Sequence, residues 1–370
     1  MSVVQLEIIA VAIVVAVACA LPGTYLVLRR MAMLSDAISH AVLPGLVVGF
    51  LLAGRVTSPL LMVGAALAGV ATAALVEGVT RSGRVREDAA IGLVFPALFA
   101  LGVVLIARFA DRVHLDTDAV LLGELAFVPF DRLAAFGYDL GPRALWIGGG
   151  LLALNAAFVG LLRKELALTT FDDDHAATLG FRPALVQMAL VVVVSITSVG
   201  AFDAVGSVLV VAFFAGPPAT ALFFARRLST VLALAAGIAA ACALVGYGLA
   251  RVLDASIAGA MALVVGAAFA GAALFAPEKG LMARRRLLGR QRDTFAARTL
   301  AVHLSTHEAS PEAETECSRR HLTDHLHWTP AFATRAVERA VRDGWVQARG
   351  DRLYLTPQGH AAVASWGAEA

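Results

Sequence analysis

The chain has 370 residues, 59% of them apolar and 16% charged, with a formal net charge of +2 and a mean hydropathy of +0.78. Soluble domains carry about 25% charged residues, so a wholly soluble globular protein is excluded. The small net charge says little about partners, because the charges are confined to particular loops, and three cysteines, two of them (Cys19 and Cys242) in apolar runs, do not make a disulfide framework.

Apolar runs of about 20 residues, the length that crosses a bilayer as helix, recur through the first 276 positions. The fold class expected is an all-α polytopic membrane protein. Candidate spans are 3–28, 31–53, 59–80, 89–108, a less certain 119–137, 144–162, 184–199, 205–225, 230–250 and 256–276. Frequent Gly and Pro imply that some are broken, so about eight true crossings are expected. The first run, Val3 to Leu28, is too long for the apolar core of a cleaved signal and reads as a retained span. Basic residues cluster at Arg29-Arg30, Arg81/Arg84/Arg86, Arg163-Lys164, Arg226-Arg227 and Arg284-Arg285-Arg286. Positive loops stay inside, which makes these loops cytoplasmic and requires the first span to start outside.

The second run contains "MLSDAISHAVLPG", residues 33–45. An ionisable residue in hydrocarbon costs roughly 3 kcal/mol even on lenient insertion scales, and here there are two. Residues four apart share a helix face, so Asp36 and His40 present a carboxylate and an imidazole together. Pro44 lacks the N–H that would bond the His40 carbonyl and clashes with it, so the helix should kink or open at the pair and free one backbone oxygen. Such donors suit Mn²⁺, Fe²⁺ or Zn²⁺. Two ligands are too few for a tight site, though a two-fold dimer would double them. The alternative is a hydrogen-bonded pair that only braces helix packing.

Glu77 and Arg81, four apart at a cytoplasmic span end, read as an interfacial ion pair. Between spans, "HLDTD" (His114, Asp116, Asp118) and Glu124 fall on the outer side, either as an acidic funnel for cations or as a solvated loop with capping aspartates. The cytoplasmic stretch "LTTFDDDHAATLGFRP", 168–183, carries full helix punctuation. Thr170 or Asp172 caps its start, Asp172 and Asp173 suit the positive helix end, Gly180 closes it after Ala176 and Ala177, and Arg182-Pro183 prevents continuation. A short helix with a small-residue face can dock into another protein, or it is an ordinary amphipathic loop helix. Further on, Pro217-Pro218 should break the span at 205–225.

After Phe275 the composition turns polar and six of the nine histidines lie beyond residue 300. Three segments follow: a membrane domain at 1–278, a basic linker at 279–292 that suits anionic headgroups of the membrane lipid, and a soluble domain at 293–370. In the last, Thr329-Pro330 opens a helix that ends before Gly344, "WVQARGDRLYLT" alternates around Gly350-Asp351 as a hairpin, and Thr356-Pro357 opens a final helix. This pattern resembles winged helix-turn-helix regulators, a small α+β domain. Arg335, Arg339 and Arg342 lie on its second helix, but Glu338, Asp343 and the acidic stretch Glu312–Glu316 dilute the charge, so DNA is an unlikely partner. Cys317, His321 and His325 recur every four residues along what reads as one helix, a stripe suited to Zn²⁺ and to feedback by accumulated metal.

Four stretches together resemble one known family. "RRMAMLSDAISHAVLPGLVVGFLLAG", "LDTDAVLLGELAFVPFD", "FDDDHAATLGFRP" and "VGSVLVVAFFAGPPATA" are similar, in order, to motifs of the ABC-3 permeases of manganese, zinc and iron transporters. The manganese type with an extra C-terminal domain is the nearest. The resemblance covers about residues 5–278. It implies a permease subunit in the bacterial inner membrane, paired with a second permease, a cytoplasmic ABC ATPase and an extracytoplasmic metal-binding protein, with a cytoplasmic C-terminal domain. It also implies that Asp36 and His40 line the ion path and that 172–182 is the helix coupled to the ATPase. The double proline departs from the family's usual single one.

No G-x-x-x-x-G-K-[ST] phosphate loop occurs, so the chain is not expected to be an enzyme, and ATP hydrolysis belongs to another subunit. No permanently bound cofactor is expected beyond the transported ion. Two other function classes remain open: a carrier driven by an ion gradient, and a membrane-tethered winged-helix regulator of transcription.

Overall fold

A computed structural model describes residues 2–54, 58–109, 125–135, 138–324 and 326–368. The chain divides into two compact units, Met1–Pro277 and Glu278–Ala370. The first is helical and opens with α1 (Val3–Leu28), started by a reciprocal cap in which Ser2 Oγ accepts from Gln5 N–H and the Gln5 side chain accepts from Ser2 N–H. Then follow α2 (Ala32–Ala41), α3 (Leu43–Ala53), α4 (Pro59–Arg81) and α5 (Glu87–Phe109). A short hairpin of β1 (Arg132–Ala135) and antiparallel β2 (Tyr138–Pro142) leads into α6 (Arg143–Leu161). After it come α7 (Arg163–Phe171), α8 (Asp173–Thr178), α9 (Pro183–Val205), α10 (Ser207–Phe224), α11 (Leu228–Leu253) and α12 (Ile257–Phe275).

Nine spans among the described residues are long and apolar enough to cross a membrane, α2 and α3 together counting as one. That is one more than expected. The tentative span at 119–137 is not among them: its described part holds a 3-10 turn at Val128–Phe130 and strand β1, and Arg132 and Asp139 bond across the hairpin. A helix over 119–137 would have had to bury Asp131 and Arg132.

Helix α1 is the centre of the bundle, packed against α6, α9, α10 and α11, while α2 to α5 gather beside α4 and α9. Small residues permit the closest approaches, as expected where lipid removes the hydrophobic drive between helices. Gly45 and Gly49 of α3 face Gly64 and Leu60 of α4 so closely that a methyl group on either would overlap backbone. A buried polar clamp joins three helices: Asn155 Nδ2 donates to the Ala18 carbonyl at 2.8 Å and to Thr197 Oγ1 at 2.9 Å. Pro22 has no N–H to bond that same carbonyl, so Asn155 replaces the missing donor.

The double proline also behaves differently from expectation. Helix α10 runs unbroken through Pro217 and Pro218. Pro218 releases the Phe214 carbonyl, and that oxygen lies against the Cα of Gly23, where any Cβ would collide with it. A Cα–H···O contact is worth about 0.5–1 kcal/mol. With Phe213 and Phe214 buried, packing keeps the helix continuous.

The C-terminal unit contains α13 (Leu281–His307), α14 (Ala313–Glu316), α15 (Arg319–Asp324), α16 (Pro330–Arg342), strands β3 (Val346–Arg349) and β4 (Arg352–Leu355), and α17 (Pro357–Ala368). The basic stretch read as a linker forms the first turns of α13. Leu300 and Leu304 of α13 pack with Leu322, Val337, Val346 and Leu353 in a separate core. Gly350, with φ +64°, gives the two-residue hairpin loop the left-handed backbone it needs.

Candidate functional site

Helix α2 places Asp36 half-buried, with α4, α5, α9 and α10 around the helix. His40 lies one turn further along the same helix. The chain divides at Val42, between α2 and α3, where Pro44 takes a first-turn position of the new helix. The interruption is slight: Val42 keeps helical angles of φ −65° and ψ −26°, and its N–H bonds the Ile38 carbonyl at 3.1 Å. The expected break at Pro44 amounts to one turn residue, because Leu46 N–H also bonds the Val42 carbonyl at 3.0 Å. At a rise of about 1.5 Å per residue, His40 sits roughly 12 Å into a span of about 32 Å.

Glycines bring the neighbouring helices onto this segment. A Cβ on Gly102 of α5 would lie 2.9 Å from Pro44 Cδ, and one on Gly69 of α4 would lie 3.0 Å from Ile38 Cγ2 and 2.8 Å from Ser195 Oγ. The turn that carries the two ionisable residues is therefore wedged between backbones on two sides.

A groove of about 460 Å³ opens at the Met31 end of α2. Leu34, two residues from Asp36, lines it together with Glu77, Asp173, Asp174 and Gln187. Glu77 bonds Arg81 at 2.5 Å, the ion pair expected from their spacing. The same face carries α7 and α8. Arg29, at the end of α1, donates from Nη2 to Thr169 Oγ1 at 2.7 Å and from Nε to Thr170 Oγ1 at 3.2 Å. Sequence spacing could not pair residues about 140 positions apart, and a lone Arg after a span reads only as a topology signal.

Asp172 caps α8 by accepting from His175 N–H at 2.8 Å, and Gly180 follows with φ +86°. Asp173, Ala177, Gly180 and Arg182 are exposed. Ala176 is fully buried in this chain, so it does not belong to an outward face, contrary to the expected small-residue surface. The large exposed groups beside α8 are Phe171, Leu179 and Phe181, an apolar rim that the small-residue reading missed.

At the opposite end of the unit, Arg132 Nη1 meets Glu7 Oε1 at 3.2 Å, which puts the chain start and the β1–β2 hairpin on one side. His114, Asp116, Asp118 and Glu124 lie outside the described residues. In the C-terminal unit, Cys317 and His321 do not share one continuous helix: the chain breaks between α14 and α15, where Ser318 pairs with Arg352. Cys317 is 3% exposed within the core. Burial pushes its thiol above the ordinary range, against a lowering by Arg352, so it is held protonated and inert. His325 lies outside the described residues. On α16, Arg335 and Arg339 are engaged by Asp293 at 3.8 Å and Asp343 at 2.8 Å.

Comparison with known proteins agrees with this architecture. The ABC 3 transport family matches residues 2–276. The zinc transport system membrane protein TroD of Treponema pallidum is 45% identical over 354 residues, 96% of each chain. The manganese transport system membrane protein MntD of Bacillus subtilis is 43% identical over 287 residues, 77% of this chain and 97% of its own. Among solved structures, PsaBC from Streptococcus pneumoniae in complex with Fab aligns with a TM-score of 0.62 at 25% identity, covering 75% of this chain and 94% of that one.

Proposed function

The chain belongs to the ABC 3 transport family, as a membrane permease and not an enzyme, and from that premise we propose that it is the transmembrane subunit of an ATP-driven importer of manganese, zinc or iron in the bacterial inner membrane. The ion passes Asp36 and His40. The observation that carries this reading is the placing of Asp36 and His40 one helical turn apart in a span with a turn at Val42, next to an acidic groove that opens on the face bearing α7 and α8. The Asp36 carboxylate, the His40 imidazole and the oxygen released by Pro44 are donors of the borderline kind that Mn²⁺, Fe²⁺ and Zn²⁺ accept. A second permease copy or a sister permease would complete the coordination.

With nine crossings among the described residues, all five basic clusters would fall on one side, which supports a chain start outside and a cytoplasmic C-terminal unit. The contacts of Arg29 with Thr169 and Thr170, and of Glu7 with Arg132, support that alternation. The segment 172–182 then faces a cytoplasmic ATPase, with Asp172, Asp173, Ala177, Gly180 and Arg182 outward and Phe171, Leu179 and Phe181 as apolar anchors. An extracytoplasmic metal-binding protein delivers the ion at the other face. The C-terminal unit reads as a winged-helix-like module, supported by the order of α16, hairpin and α17, and DNA is an unlikely partner for it because two of the three arginines on α16 are engaged by carboxylates.

Uptake of each ion by reconstituted transporter tests the reading. Asp36→Asn and His40→Ala should each abolish ATP-dependent uptake while the ATPase still co-purifies. Gly180→Trp or Ala177→Arg should instead break co-purification or uncouple hydrolysis from transport. Normal uptake of all three ions by His40→Ala would refute the path, and uptake without any ATPase would point to a gradient-driven carrier.

A further inference from the structure

The C-terminal unit gathers four side chains that the transport reading leaves unused. His303 and His307 lie one turn apart on α13, Glu316 ends α14, and His321 is on α15. A single carboxylate oxygen, Glu316 Oε2, stands 3.1 Å from His307 Nδ1, 3.6 Å from His321 Nε2 and 4.0 Å from His303 Nε2. The His303 and His307 rings are 4.6 Å apart, and His303 stacks on His321 at 5.4 Å. One ligand atom from each of His303, Glu316 and His321 fits within a 4.8 Å cluster.

Charge balance does not explain this gathering. One imidazolium neutralises one carboxylate, and here three imidazoles converge on it. A tetrahedral Zn²⁺ with ligands at about 2.0–2.2 Å spaces its donors about 3.4 Å apart; the three imidazole nitrogens stand 3.1 to 4.0 Å from the Glu316 oxygen, and an ion would draw the ligand atoms of His303, Glu316 and His321 in from within 4.8 Å of one another. The segment is also held in place before any ion arrives. Leu353 N–H bonds the Cys317 carbonyl at 2.8 Å and Arg319 N–H the Asp351 carbonyl at 2.9 Å. His303 Nε2–H donates to the Glu316 carbonyl at 3.2 Å, which holds α13 against this segment until the same nitrogen gives up its proton to take a metal. His321 is 6% exposed, with Nε2 beside the Glu316 carboxylate. The His307 side chain is 34% exposed, which leaves one edge open for entry.

We propose that His303, Glu316 and His321, with His307 at the open edge, form a divalent transition-metal site in the C-terminal unit. Three nitrogens and one carboxylate favour Zn²⁺ or Co²⁺ over the oxygen-seeking Mg²⁺ and Ca²⁺. The site differs from the stripe expected from spacing: it keeps His321 and replaces Cys317 with partners from α13. The source of its ion rests on the transport reading; its existence does not.

The test uses the full-length protein in detergent with the transport path disabled by Asp36→Asn. Equilibrated with Zn²⁺ or Co²⁺ and desalted, it should retain one equivalent of metal, with visible Co²⁺ absorption of a tetrahedral nitrogen–oxygen site. Adding Glu316→Gln, which keeps the side chain's shape, or His321→Ala should remove both signals while the melting temperature in EDTA stays that of the parent. If either variant fails to fold, His307→Ala at the exposed edge should weaken Zn²⁺ at least about tenfold. No metal on the Asp36→Asn parent, or full retention after Glu316→Gln and His321→Ala, would overturn the site. Metal retained at this site while the reconstituted transporter with Asp36 and His40 intact moves no ion would count against the transport reading alone.

Discussion

Two groups of spans in the membrane unit carry an internal proline under the same steric rule and meet different ends. In α1 and α10 the helix continues through Pro22, Pro217 and Pro218. Between α2 and α3 it divides two residues before Pro44. The difference lies in the neighbours. Asn155 supplies a donor to the carbonyl released by Pro22, and the bare Cα of Gly23 covers the one released by Pro218. A proline therefore marks a span that can divide, and the surrounding side chains decide whether it does. The divided span is the one that carries Asp36 and His40, where a released carbonyl is useful to a passing cation.

The largest effect that tests this contrast is functional. Pro44→Ala restores the missing N–H and lets α2 continue into α3, so uptake should fall at least about tenfold, equivalent to about 1.4 kcal/mol in the rate barrier. Folding and ATPase assembly should be preserved, since Ala suits a helix better than Pro. Pro217→Ala should leave uptake within about twofold. Equal losses from the two substitutions would mean that the division at Val42 has no special role.

The next effect is structural and falls on the repaired spans. Asn155→Leu removes the donor to Ala18 and the partner of Thr197 together, and an unsatisfied buried polar group costs about 1–3 kcal/mol. Membrane hydrogen bonds average nearer 0.6 kcal/mol, so a loss of about 1–2 kcal/mol is expected in detergent melting or steric-trap unfolding. Gly23→Ala should cost a similar amount, because its methyl group meets the Phe214 backbone and α1 must move away from α10. Wild-type stability in both variants would show that the repairs contribute nothing.

Much of this was legible in the sequence, within limits that have a physical cause. Burial in lipid demands long apolar runs, so all nine described spans and the Asp36–His40 pair stand out in one dimension, with 119–137 added as a tenth candidate. The cap at Asp172 and the turn at Gly350 are local, and local chemistry finds them. What could not be read depends on chain returning to chain. Ala176 looks like a small outward residue until its own bundle covers it. The region 119–137 looks apolar enough to cross until Arg132 and Asp139 pair across a hairpin. His303 is thirteen positions from Glu316 with no helical relation to it, so a stripe of fours through Cys317, with Glu316 beside it, misses His303 and His307.

The smallest effect lies outside the membrane and sharpens the comparison by supplying a control. The β1–β2 hairpin is also held by donors aimed at an acceptor, but in water. Asp139 Oδ1 accepts from Gly141 N–H at 2.9 Å and Oδ2 from Arg132 Nε at 2.5 Å. The Gly141 bond first, and Arg132 second, hold the Asp139 carboxyl below the usual carboxylate range. A carboxyl lowered on folding adds stability that is fully present above its unfolded value, about 3.9, and is lost as pH falls through the lower folded value. Hydrogen-exchange protection of the hairpin amides, corrected for intrinsic rates, should therefore hold at pH 7 and at pH 5 and decline only below about pH 4. Asp139→Asn keeps an acceptor for Gly141 and removes the charge, so its protection should fall slightly short of wild type at pH 7, and the two should converge in acid. Both partners are exposed, where ion pairs contribute little, and the deficit should be well under that of Asn155→Leu. A hairpin deficit as large as the clamp's would mean that bonds in water and bonds in the bundle count alike, and the account of the repaired prolines would fail with it.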